Sequence, residues 1–268
     1  MKIVYVAEIT GKTGVWVVKT TLKNLKRKFT PDFIIANANS ATGSSGLGKQ
    51  HAGYLKKLGI DCITVSDSAF QKKDLVDTFD TISYVLRPAN LPAISPGRGF
   101  KIFRTEKGER IAVVSVIGRI GHHKIMGENP YIETEKIVEK LRVNTDLIFI
   151  DFSSLATAEK QAFGFMLDGK VSAVIGSGSK VQTADACILP NGTAYITDAG
   201  RTGSLNSVGG YAAESKIMEY KSSLPDFGKE TWEMPVIQGI YLETDENGRT
   251  LQVERIFEEC ERCSNEEG

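Results

Sequence analysis

Three histidines and four cysteines are all that the 268 residues hold of the side chains best suited to transition-metal ligation. The histidines are His51, in a segment of helical spacing, and the adjacent pair His122-His123 in GRIGHHKIMG, expected in a solvated loop. Zinc, iron and manganese sites draw on imidazole, thiolate and several carboxylates together, so these residues cannot assemble a centre of two metals. Cys62 and Cys187 lie in apolar, strand-like runs and are expected as buried free thiols. Cys260 and Cys263 form a CxxC in EECERCSNEEG, without the second pair or βαβ setting that zinc or redox work needs. That charged stretch, 259–268, is expected to be a disordered tail following a single domain over 1–258.

Net charge is also missing. Lys+Arg and Asp+Glu both number 33, which gives no electrostatic footprint for nucleic acid or an acidic membrane. No apolar run is long enough to span a bilayer, and MKIVYVAEITG enters a strand pattern without a signal peptide. A cytoplasmic protein is the expectation. There is no internal repeat and no linker-like tract.

What the chain does have is near-continuous apolar strands. KIVYVA, FIIAN and CITVS alternate with helix-like stretches at about 15–28, 51–58 and 71–79, the pattern of a buried sheet flanked by helices. FKIFRTEKGERIAVVSVIG predicts a hairpin turning at Lys107-Gly108, followed by a helix over about 133–142 and the strand LIFIDF. The helix TAEKQAFGFMLDG and the strand VSAVIG come next. ACILPNGTAYITDAG and VIQGIYLETDENGRTLQVERIF predict two further hairpins with Asn-Gly turns. The expected fold is α/β, one domain of two mixed sheets packed together with helices outside.

In such folds the ligand crevice lies beyond the carboxyl ends of the strands. Those ends deliver Glu8; Asn37, Asn39 and Ser40; Ser66, Asp67 and Ser68; Ser153 and Ser154; then Ser177, Gly178, Ser179 and Lys180. Hydroxyls, amides, two carboxylates and one ammonium make up the inventory. GSSGLGKQ nearly matches a phosphate-binding loop, but Gln50 stands where a magnesium-binding hydroxyl belongs, and four residues separate it from the strand. Serine catalysis at Ser68, Ser153 or Ser179 with Lys180 as base would need an oxyanion hole that the pattern does not show.

The wording of several segments carries a family likeness. RPANLP at Arg87–Pro92, VQTAD at Val181–Asp185, ILPNGTAYITDAGRTG at Ile188–Gly203, the frame of GSSGLGKQ and DFSSLATAEK all contribute. On these the chain resembles, over nearly its whole length, the YmdB-type branch of the calcineurin-like metallophosphoesterases, which are 2′,3′-cyclic-nucleotide phosphodiesterases. The resemblance implies a four-layer αββα sandwich and a two-metal phosphodiesterase site at the strand exits.

The chain departs from the family's motifs at that site. The first-strand aspartate falls at Glu8, the bridging glutamate and the next ligand at Asn39 and Ser40, and the GNH motif at Ser66-Asp67-Ser68. The DFH histidine falls at Ser153, and the two histidines of GTHTH at Gly178 and Lys180. Serine ligates divalent ions poorly, glycine has no side chain, and an ammonium repels metal. The expectation is a catalytically degenerate homologue, without cofactor or proton-donor histidine, that binds, regulates or scaffolds. Its partner would be another protein or a small anionic ligand, and it could form a homo-oligomer. Lys180 is expected to reach Glu8 or Asp67. The alternative is a weak phosphodiesterase with a single magnesium or manganese held by oxygens of Glu8, Asn39 and Asp67.

Overall fold

Strand β1 (Lys2–Val6) shows how the layers are decided. Side chains along a strand alternate between faces, so Ile3 and Tyr5 point one way and Val4 and Val6 the other, and all four are buried. Both faces therefore carry cover. The computed structural model describes residues 1–43, 45–122, 124–225 and 228–260.

The chain continues through β2 (Glu8–Ile9), α1 (Gly11–Phe29), β3 (Phe33–Asn37), α2 (Lys49–Leu58), β4 (Cys62–Thr64), α3 (Lys73–Val76) and β5 (Val85–Leu86). Its middle holds β6 (Phe100–Arg104), β7 (Arg110–Ile117), α4 (Pro130–Arg142), β8 (Ile148–Ser153), α5 (Thr157–Leu167) and β9 (Ala173–Ser177). The last part is β10 (Cys187–Ile188), β11 (Ala194–Ile196), β12 (Arg201–Ser204), α6 (Ala213–Ser222), β13 (Pro235–Thr244) and β14 (Thr250–Glu259).

One sheet runs β2-β12-β13-β1-β3-β4-β5, with β14 on β13; the other runs β10-β11-β9-β8-β7-β6. Both are mixed: β1, β3, β4 and β5 are mutually parallel but β13 is antiparallel to β1, and β7, β8 and β9 are parallel but β6 is antiparallel to β7.

Alternation then sorts the core into three apolar layers. Ile3, Tyr5 and Ile35 of the first sheet meet Val113, Phe149 and Ile175 of the second. Val4, Val6 and Ile34 face Val18 and Leu22 of α1 and Leu55 of α2. Val114, Ile150 and Val174 face Ile137 of α4 and Phe163 of α5. Helices, sheet, sheet and helices form the four-layer αββα sandwich that the resemblance implies.

The three expected hairpins form, with Gly108, Gly192 and Gly248 at positive φ in their turns. Other details differ from the sequence reading. α3 covers only four residues of the stretch expected over 71–79. α6 has no buried residue, so no apolar stripe announces it. β2 and β5 are two residues long, too short to show a period. Cys187 is exposed on β10, at the edge of its sheet, rather than buried. β14 reaches Glu259, and the Cys260 amide donates to the Pro235 carbonyl at 2.8 Å, so order continues past 258. Residues 261–268, with Cys263, lie outside the described residues. Among the described residues no helix is long and apolar enough to cross a membrane.

Candidate functional site

The parallel strands of both sheets end along one crevice, and two small clusters form there. Glu8 leaves the first strand fully buried, and a bridge between Thr10 and Ser40 draws the β3 exit beside it. The Ser40 hydroxyl donates to Glu8 Oε1 at 2.5 Å and accepts from Lys180 Nζ at 2.9 Å. Lys180 Nζ also stands 3.3 Å from Glu8 Oε1. One hydroxyl thus serves as donor and acceptor between a carboxylate and an ammonium. Of the two carboxylates within its expected reach, Lys180 takes Glu8.

Asn39 organises the second cluster. Its Oδ1 accepts from the backbone amides of Ser66 at 2.8 Å and Ser68 at 3.0 Å, while its Nδ2 donates to Asp67 Oδ1 at 2.8 Å. Asp67 Oδ2 faces His122 Nδ1 at 3.8 Å and Lys124 Nζ at 4.0 Å. Burial pushes the Asp67 carboxyl up, but the neighbouring His122 side chain, the hydrogen bond from Asn39 and the Lys124 charge outweigh it. The group is held well below its ordinary 3.8.

His122 and Lys124 were missing from the strand-exit inventory. The imidazole does not stand in a solvated loop: its side chain is only 4% exposed. His122 Nε2 lies 3.0 Å from the Ser153 carbonyl, which can only accept, so that nitrogen is the donor. Lys124 Nζ donates to Ser68 Oγ at 2.9 Å. The available signal was position: GRIGHHK follows directly on β7, whose carboxyl end opens on the same crevice. His123 lies outside the described residues.

Ser153 Oγ is buried and has no hydrogen-bond partner among the described residues. A Cβ on Gly178, at φ +106°, would stand 3.1 Å from it. Below the crevice, Asp151 Oδ2 accepts from Tyr5 Oη at 3.0 Å, Asn37 Nδ2 at 3.0 Å and Thr64 Oγ1, and Oδ1 accepts from Ser177 Oγ at 2.7 Å. Burial pushes this carboxyl up against those four bonds. It ties both sheets together without reaching the opening.

The donors do not fit a pair of metal ions. Asn39 offers no carboxylate to bridge them, and its carbonyl oxygen is committed to two backbone amides. Glu8 is engaged by an ammonium, and among the described residues no three His, Cys, Asp or Glu side chains are grouped to hold a metal. The single-ion set of Glu8, Asn39 and Asp67 meets the same obstacle, because Asn39 turns its amide nitrogen, not its oxygen, toward Asp67. Serine activation by Lys180 fares no better. Its ammonium lies on Ser40, while Ser179 receives Lys160 at 3.2 Å and Ser68 receives Lys124. The phosphate-loop look-alike turns amides inward: Thr42 N donates to the Gly46 carbonyl and Gly46 N to the Asn39 carbonyl. Ser44 lies outside the described residues.

Comparison with known proteins places this chain in a family. A family model described as YmdB-like protein matches residues 4–256. A Bacillus subtilis protein named 2′,3′-cyclic-nucleotide 2′-phosphodiesterase is 34% identical, over 96% of this chain and 97% of its own. A solved Mycoplasma pneumoniae structure described as a novel phosphatase superposes with a TM-score of 0.90 at 28% identity, covering 97% of this chain and 93% of that one. A solved hypothetical protein from Thermus thermophilus gives 0.88 at 27% identity, over 97% of this chain and 99% of that one. With the family model spanning nearly the whole chain and the Bacillus subtilis relative 34% identical over 96% of it, the chain belongs to the YmdB-like family of metallophosphoesterase-fold proteins.

Proposed function

We propose that this chain is a catalytically degenerate member of its family, which binds a ligand in the crevice rather than hydrolysing one. The observation that carries the reading is Asn39. The position of the family's bridging carboxylate holds an amide whose oxygen is hydrogen-bonded to Ser66 and Ser68 and whose nitrogen serves Asp67. Hydrolysis in the family uses two metals to make hydroxide at neutral pH and to clamp phosphate oxygens. Without them the attacking water keeps its bulk pKa of about 15.7. Nothing in the two clusters replaces that function.

The Ser153 hydroxyl, without a partner among the described residues, and the half-exposed Lys124 ammonium favour a small anion as occupant over a protein partner. The proposal includes action in the cytoplasm without nucleic acid or membrane, and self-association as a homo-oligomer, which sedimentation of the purified protein checks.

The test has two parts. Elemental analysis of the isolated protein should find no stoichiometric metal, and a manganese-supplemented assay on 2′,3′-cyclic AMP should show no turnover. The ligands are then restored together as Asn39→Glu, Ser40→Asn, Ser68→His, Ser153→His, Gly178→His and Lys180→His. Turnover only after restoration supports the reading. Turnover by the unmodified chain at a comparable rate overturns it.

A further inference from the structure

We propose that the Lys180 ammonium is a tethered counter-cation, seated by Glu8 and Ser40 in a pocket that accepts a free primary alkylammonium ion once the side chain is cut away. A carboxylate in the interior needs a matching charge, and Glu8 is 1% exposed. Its partner is Lys180, whose own side chain is 22% exposed. Arg201, beside Glu8 in the β2–β12 pairing, does not serve it. Its Nε donates to the Ser204 carbonyl, Nη1 to that of Lys180 and Nη2 to that of Leu205.

The backbone aims the ammonium. Lys180 sits at φ +60°, a left-handed conformation that is unfavourable for any residue bearing a side chain. It is held from both sides. The preceding amide, Ser179 N, donates to Asp198 Oδ2 at 2.8 Å, and Arg201 Nη1 holds the Lys180 carbonyl at 2.7 Å. A loop fixed at its two ends in a costly conformation delivers one ammonium to one hydroxyl and one carboxylate oxygen. Those two oxygens form a seat with the geometry of N–H donation, which a small primary ammonium satisfies and a quaternary one cannot.

The inference rests on the reading that the family's metal chemistry is gone, and the experiment separates the two. Lys180→Ala is unfolded thermally in ethylammonium chloride, in sodium chloride of equal ionic strength, and in tetramethylammonium chloride. The variant should melt about 4–8 °C below the unmodified protein in sodium chloride, recover most of that loss in ethylammonium, and recover none in tetramethylammonium. The unmodified protein should not distinguish the three salts. A variant indifferent to ethylammonium overturns the inference and leaves the reading standing. Manganese tightly bound by the unmodified protein, detected by loss of its free-ion paramagnetic resonance signal, overturns both. Should Lys180→Ala fail to fold, Lys180→Met is compared with Glu8→Gln/Lys180→Met. The double variant should melt above the single one, and a double variant that melts at or below it is a refutation.

Discussion

The Lys160 ammonium meets the Asp198 carboxylate at 2.8 Å, with both side chains closed to solvent. Burial pushes the Asp198 carboxyl up, while the ammonium and the amides of Gly200 and Ser179 act against that. The pair stands under the loop that carries Lys180, because Asp198 also accepts the Ser179 amide and Lys160 also reaches the Ser179 hydroxyl. Lys160→Met leaves a buried charge alone and should cost about 3–5 kcal/mol in denaturant unfolding. Lys160→Met with Asp198→Asn should recover part of that cost, since the uncompensated charge disappears. A single variant close to the unmodified protein in stability would show that the pair holds nothing.

Asp151 gives a second contrast. Asn in its place can keep an oxygen toward Tyr5, Asn37 and Thr64 and turn its nitrogen to Ser177, whose hydroxyl rotates to accept. Asp151→Asn should therefore lie within about 1 kcal/mol of the unmodified protein. Asp151→Leu strands four buried donors from both sheets and should cost about 3–5 kcal/mol. Equal losses in the two variants, measured by urea unfolding, would contradict this account.

Asp67 sets an acid limit. Its folded-state carboxyl titrates below 3.8, so the folded protein binds fewer protons than the unfolded chain in that region. The stability it contributes is complete above 3.8 and drains away as pH falls below that value toward the lower folded-state pKa. Asp67→Asn should cost about 1–2 kcal/mol at neutral pH and converge with the unmodified protein in acid. Parallel stability curves from pH 7 down to pH 2 would refute the assignment.

Gly178 limits how the site can be rebuilt. At φ +106° any side chain is strained, and a Cβ would press on Ser153 Oγ at 3.1 Å. Gly178→His alone should lower stability by about 1–3 kcal/mol in thermal unfolding. A neutral result would mean that the backbone turns at this point without resistance.

The layers were legible because each face of the long strands is uniformly apolar: Val4 and Val6 could only meet helices if Ile3 and Tyr5 met a sheet. Glu8, Asn39, Asp67 and Lys180 were legible because strand ends declare themselves. What escaped came from distance or from side-chain orientation. His122 and Lys124 sit beyond β7 in a loop whose own sequence has no periodicity, and their place depends on Asp67 across the crevice. That Asn39 points its oxygen at Ser66 and Ser68 depends on how the 66–68 backbone turns, which residue types do not reveal. Lys160 lay on a recognised helix, yet nothing local said that its ammonium would be buried against Asp198.

The amide of Asn39 also constrains any exchange made at that position by itself. Because that side chain now braces the neighbouring turn, replacing it with glutamate removes a donor from Asp67 and sets two like charges side by side before any ion is present to reconcile them. A carboxylate placed at this position alone therefore costs stability, and only exchanges made together with it can offset that cost.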